Sequence, residues 1–287
     1  MDVNRLRKII VLAATIICLN SICYAESAEL PGWITEFENP PAWARPQMFF
    51  VWNGQVTTER VREMLQQYKA EGIGGVFIHP RPGLITEYLS PEWFEMWQFA
   101  VTECQRLGME CHIYDENGFP SGFAGGEVLS AHPELAAHYL TAVKITEPAK
   151  YDVSTAMAYF VLPDPNGAPQ QVDEEAVMKA NPQRPVWALV VRQVEASDKH
   201  GGFPYPDVLR RETAEAFIEI THDRYADHFR NEFGKTIKYV FADEPDMPGK
   251  NGLPWSHYLL QEFRRQHDYD LRDKIGPLCF GVPTRQR

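Results

Sequence analysis

Two Asp-Glu pairs, Asp115-Glu116 and Asp243-Glu244, each close a run of apolar residues in this 287-residue chain. Two further apolar runs end in Trp52-Asn53 and in His79-Pro80-Arg81. Short apolar runs bounded by Pro and Gly read as buried strands, so four strands end in hydrogen-bonding or ionisable groups. Parallel sheets place their ligands at the carboxyl edge of the strands. The four ends therefore predict one polar rim carrying Trp52, Asn53, His79, Asp115, Glu116, Asp243 and Glu244. Asp and Asn after a strand also cap the next helix, and for Asn117 and Asp246 that reading stands level with the functional one. It explains less well why two strands end in the same acidic pair. Neighbouring side chains on a strand point to opposite faces, so one acid of each pair should face the ligand. The other should find a donor behind the sheet, with His79 and Arg81 as candidates.

Periodicity supplies the scaffold for these groups. Strands are expected at 48–53, 74–80, 109–117 and 236–247. Thr57 or Thr58 begins a helix ending at Gly72, and Ser90-Pro91-Glu92 begins another ending at Leu107-Gly108, with serine as cap and proline in the first turn. A long amphipathic helix is expected from about 210 to Gly234, and another over about 255–267. Strand and helix in alternation give an α/β class with parallel strands and crossovers. Residues 139–200 break the alternation with β-rich segments and read as an inserted small β subdomain. The expected division is 26–138 and 201–287 for the α/β part, with 139–200 inserted. About four βα units form either a small open sheet or the first half of a (β/α)8 TIM-type barrel truncated at its C-terminus, and the partial barrel is the expectation.

Residues 1–25 read as an export signal: Arg5, Arg7 and Lys8, then an apolar run, then small residues at Cys23-Tyr24-Ala25. A secreted or periplasmic protein is expected, without a stable membrane span after cleavage. Losing these residues moves the net charge from −11 to −13, because three basic side chains and one acidic one depart. An acidic chain without basic clusters excludes nucleic acid as a partner. Cys104, Cys111 and Cys279 would remain, an odd number without metal-site spacing.

The loop after the third run, Asn117-Gly-Phe-Pro-Ser-Gly-Phe-Ala-Gly-Gly126, is rich in glycine but matches neither phosphate-binding pattern. No Lys or Arg lies between Arg106 and Lys144 to pair with an anion. Carboxylates with aromatic rings (Trp52, Tyr114, Phe119, Phe123) suit a neutral ligand with many hydroxyls and apolar faces, hence carbohydrate. Glycoside hydrolysis needs two carboxyl groups, ~5–5.5 Å apart for retention or ~6.5–9.5 Å for inversion.

The strings WNG (52–54), GGVFIHPRPG (74–83), IYDENGFPSGFAGG (113–126) and FADEPDM (241–247) resemble the N-terminal barrel of glycoside hydrolase family 106, the α-L-rhamnosidase-like enzymes, over about 35–273. The resemblance implies inverting, calcium-assisted removal of terminal rhamnose from an oligosaccharide or glycoside. It implies Glu244 as general acid, Asp115 or Glu116 as a ligand of sugar hydroxyls or calcium, and Asn53 and His79 as subsite lining. It also implies a missing C-terminal half that carries the catalytic base, so that the chain alone would be inactive. A non-catalytic sugar-binding or remnant protein is the alternative.

Overall fold

The computed structural model describes residues 32–162, 168–247 and 252–281. The export segment expected at 1–25 lies outside them. No described helix is long and apolar enough to cross a membrane.

Nine strands are described, and four of them form a parallel sheet: β1 (Gln47–Trp52), β2 (Gly75–Pro80), β3 (Glu110–Tyr114) and β8 (Val240–Phe241), side by side in that order. Helices Thr58–Ala70 and Pro91–Leu107 form the first two crossovers. Their ends lie at the residues that predict them. The Thr57 hydroxyl accepts from the Arg60 N–H, that of Ser90 accepts from Trp93 N–H, and Gly108 closes the second helix at φ 61°. Phe50, Trp52, Val76, Ile78, Cys111 and Ile113 pack with these helices into one core. That is every second residue of each strand, as the pleat requires.

The other face carries rings. Phe49 pairs in register with Phe77, Phe77 with His112, and Tyr114 with Phe241. The Phe49 centroid lies 5.0 Å from Phe241 and 5.2 Å from His79, and His79 stacks on Tyr114 at 3.5 Å. On this face Phe49 remains 40 % exposed, whereas His79, His112 and Tyr114 are fully buried. The sheet is open, with β1 and β8 as its edges. The α/β class and the parallel sheet are as expected; among the described residues no closed barrel is formed, and the sheet alone does not distinguish a partial barrel from a small open sheet.

The fourth strand is much shorter than the expected 236–247, with two residues in regular ladder geometry. Its backbone still accepts from β3, through Thr236, Tyr239 and Phe241 carbonyls, at 2.9–3.2 Å. An edge strand bonded on one side has little to hold its outer half regular.

The second sheet contains β4 (His138–Ile145), β5 (Ala156–Val161), β6 (Gln170–Val172), β7 (Val186–Gln193) and β9 (Leu253–Trp255). It is wholly antiparallel, in the order β6-β5-β7-β4-β9. Its last strand, β9, comes from the segment expected to stay with the α/β part. Ile275 of helix Ile275–Phe280 joins Leu140, Phe160, Leu189 and Trp255 in its core. The terminal segment thus belongs to the antiparallel sheet by packing, because the apolar outer face of β4, β5 and β7 needs a cover.

The long helix expected over 210–234 is interrupted. Arg211–Phe217 and Asp223–Phe229 are α-helical, and Ile218–His222 between them is a π turn. Thr213 and Ala216 are buried before the turn, Tyr225 and Phe229 after it. Twelve residues of straight helix would rotate Tyr225 by about 120° from Thr213, and a turn that absorbs one extra residue cuts this to about 20°. The π turn keeps both halves on one buried face. There Tyr225 accepts a hydrogen bond from the Trp93 indole at 3.1 Å.

Candidate functional site

At the carboxyl edge of the parallel sheet, β3 and β8 are joined by their own loops. The Tyr114 hydroxyl donates to Asp243 Oδ2 at 2.8 Å. Ser121 N–H donates to the Asp243 carbonyl, and Asp243 N–H donates to the Ser121 hydroxyl, both at 2.8 Å. That hydroxyl in turn donates to Asp115 Oδ1 at 2.6 Å. Tyr205, five residues past the inserted segment, donates to the Ser121 carbonyl and accepts from Asp246 N–H. Neither Ser121 nor Tyr205 is among the residues that the sequence singles out. Ser121 lies within the recognisable string after Asp115; nothing around Tyr205 marks it.

The two acids of the third strand end diverge. Asp115 is 2 % exposed and faces the helix side, with His222 Nε2 at 3.5 Å from its Oδ2. Glu116 is fully buried, and five backbone N–H groups donate to its carboxylate: Asn117, Gly122, Phe123, Ala124 and Gly125, at 2.6–3.0 Å. Gly122 and Gly125 hold φ of 129° and 66°, which lets the chain curl around the carboxylate. Burial pushes the Glu116 pKa up to about 7, against the pull of the amides. The hydrogen-bond partners of its two oxygens are all donors, so the loop is shaped to the ionised form.

This arrangement corrects the expectation for Glu116. Its oxygens are turned from the rim and already occupied by N–H groups, whose positive ends would meet a calcium ion. A hard cation needs free oxygen ligands, so Glu116 does not fit that role or that of a sugar contact. Asp115 spends one oxygen on Ser121. Among the described residues no group of three or more His, Cys, Asp or Glu side chains is placed to hold a metal ion.

Trp52 is corrected as well. It is 3 % exposed in the helix-side core, 5.2 Å edge-to-face from Trp93, because it shares the parity of Phe50. Asn53, one residue on, is exposed at the rim. His79 is buried beneath it; its Nε2 lies 3.2 Å from the Gly118 carbonyl and its Nδ1 has no partner. Burial pushes its pKa down to about 4, so the ring is neutral and donates Nε2–H to that carbonyl. It is thus no donor to either acid pair. Burial also raises the Tyr114 hydroxyl pKa, helped by the hydrogen bond to Asp243.

Glu244 is exposed, and its carboxylate has no hydrogen bond or ion pair among the described residues. Its backbone is left-handed, at φ 45°. For a residue with a Cβ this costs about 1–2 kcal/mol, and such strain clusters at functional positions. Along this edge Asn53 and Glu244 are exposed, Asp243 is half-buried and holds the Tyr114 hydroxyl, His79 and Tyr114 are buried beneath, and Asp115, Glu116 and Trp52 are turned away. Polar groups above flat apolar rings can bind a hydroxylated ring and leave a free carboxyl beside it.

No protein-family profile matches the chain. A stretch of 105 residues, 35 % of the chain, is 29 % identical to a Formosa agariphila protein named "Putative beta-glucuronidase", and covers 9 % of that protein. A solved rhamnosidase from a Novosphingobium species superposes with a TM-score of 0.49 at 13 % identity, over 86 % of this chain and 42 % of that one. The chain thus spans under half the length of either protein. What it shares with a protein named for glycoside cleavage is a segment of about a third of its own length.

Proposed function

We propose that the chain carries part of the catalytic domain of a glycoside hydrolase, with the rim of Asn53, His79, Tyr114, Asp243 and Glu244 as its sugar subsite. The observation that carries this reading is the Tyr114–Asp243 hydrogen bond, which joins two strand ends above an aromatic floor and sets Glu244 beside it in a strained backbone. The segment shared with the Formosa agariphila protein supports the same class. In finer terms, the partial barrel acts on a terminal α-L-rhamnoside with inversion, Glu244 donating the proton to the leaving oxygen. A second carboxylate, from residues outside the four strand ends, activates water. The basic, then apolar, then small-residue order of residues 1–25 supports export across a membrane.

One observation favours a sugar-binding protein without turnover. A general acid is held protonated by its surroundings, and Glu244 is exposed without a partner among the described residues. The deciding experiment uses the protein as produced from its gene, assayed on aryl α-L-rhamnosides and aryl β-D-glucuronides. Turnover that Glu244→Gln removes supports the enzyme. Binding of the free sugar by calorimetry, without turnover of either glycoside, replaces it with the binding protein.

A further inference from the structure

Arg81 follows β2 directly, at the same sheet edge as the acids of β3 and β8. Its N–H donates to the Trp52 carbonyl at 2.9 Å, a bond for which Pro80 has no N–H, and its carbonyl accepts from Leu84 N–H at 3.1 Å. The residue is thereby fixed next to Asn53, the exposed end of the neighbouring strand. The guanidinium charge opposes protonation of the His79 ring and favours ionisation of the Tyr114 hydroxyl, so it stands near the two rings buried under the edge.

The Arg81 side chain is half-buried, yet it makes no hydrogen bond or ion pair among the described residues. The other half-buried arginines all have acceptors. Arg45 donates to Asn39 Oδ1 at 2.6 Å, and Arg62 lies 3.7 Å from a Glu103 oxygen. Arg210 and Arg224 donate to the carbonyls of Glu134 and Leu89, at 2.9 and 2.6 Å. Asp243, across the edge, spends Oδ2 on the Tyr114 hydroxyl instead. A guanidinium drawn partly out of water, with its N–H donors left to solvent, gains most from an acceptor that a ligand brings.

The surroundings select that acceptor. The planar fork of an arginine matches a carboxylate through two parallel N–H···O bonds. Asp243 and Glu244 at the same edge oppose a doubly charged group such as phosphate. In the sheet β2 lies two strands from β8, about 10 Å at the usual spacing, which an arginine and a glutamate can bridge around one sugar ring. We propose that Arg81 makes the rim selective for an acidic glycoside, taking the carboxylate of a uronate while the neighbouring groups take its hydroxyls. The proposal rests on the reading of the rim as a sugar subsite.

Calorimetric titration of the protein as produced from its gene tests it. The probes are methyl β-D-glucuronide and methyl α-D-galacturonide, each against its neutral hexoside, together with glucose 6-sulfate. At least one uronide should bind about 10- to 100-fold more tightly than its neutral counterpart, as hydrogen bonds between charged groups imply. Arg81→Gln should bring that uronide down to the affinity of the neutral hexoside. Arg81→Lys, a point charge without the fork, should keep part of the preference. Added sodium chloride should weaken the uronide more than the hexoside, a comparison that needs no variant. Equal affinity of uronides and hexosides, a preference that Arg81→Gln leaves unchanged, or tighter binding of the sulfate would each overturn the proposal and leave the rim a sugar site. Binding of none of the probes would overturn the rim reading as well.

Discussion

Asp115-Glu116 and Asp243-Glu244 are the same dipeptide at the ends of neighbouring parallel strands, and they end in opposite states. Glu116 is buried with five amide donors; Glu244 is exposed with none among the described residues. The difference comes from the residues behind each pair. After Glu116 the chain runs through Gly118, Gly122, Gly125 and Gly126, all at positive φ, and can fold back so that its N–H groups converge. After Glu244 comes Pro245, which has no N–H to offer and restricts the residue before it. The first acid organises its loop and the second stays available for a ligand. An acidic pair at a strand end thus acquires its role from the loop that its chain enters next.

Several substitutions put this contrast to the test. The largest effect belongs to Glu244→Gln in the protein as produced from its gene. In the role of proton donor proposed above, its loss should cut kcat on an aryl glycoside by about 10²- to 10⁴-fold, with the chemical-denaturation midpoint unchanged. A kcat within a factor of two would remove Glu244 from the chemistry. Next is Glu116→Ala, which strands five amide donors around a void and should cost about 3–5 kcal/mol of stability. Glu116→Gln should cost less than the alanine variant, because one oxygen still accepts. If Glu116→Ala matched wild type in stability, the loop would not depend on its carboxylate.

Acidity separates the groups further. Burial pushes both His79 and His112 down to about 4, below the value of about 6.5 that an unfolded histidine has. Between these values the unfolded chain binds more protons, so their stabilising contribution is full above pH 6.5 and is lost as pH falls through about 4. Glu116, raised to about 7, has the opposite sign: its contribution is full below about 4.5 and is lost as pH rises through about 7. Stability measured by denaturation at pH 5 and pH 7 should therefore rise more steeply in Glu116→Gln than in wild type, by roughly 1 kcal/mol per pH unit. An equal slope would mean that the five amides outweigh burial and keep Glu116 ionised throughout. The smallest effect is expected at Glu244→Asn, where a side chain that tolerates φ near 45° should raise stability by about 0.5–1 kcal/mol. A fall in stability would show that the Glu244 backbone carries no strain.

Strand and helix order were legible in residues whose side chains signal locally. Thr57, Ser90-Pro91 and Gly108 mark their helix ends in sequence and in space. What the sequence hid depends on partners far along the chain. The donors to Glu116 are backbone groups of a loop, invisible in residue type, and His222 meets Asp115 from a distant helix. Trp52 looked like a ligand platform because an aromatic residue at a strand end is ambiguous; the parity it shares with Phe50 was the available clue. β9 escaped because three residues, Leu253–Trp255, carry too little pattern to reveal which sheet they complete.

The π turn decides where this gene could tolerate shortening. Deleting one codon within Ile218–His222 would convert the segment to ordinary α-helix while Thr213 and Tyr225 kept their shared buried face, about 20° of rotation apart. A one-codon deletion elsewhere in the helix would leave the π turn in place and swing one half of the helix by about 100°. The helix therefore has one stretch where losing a residue is structurally mild.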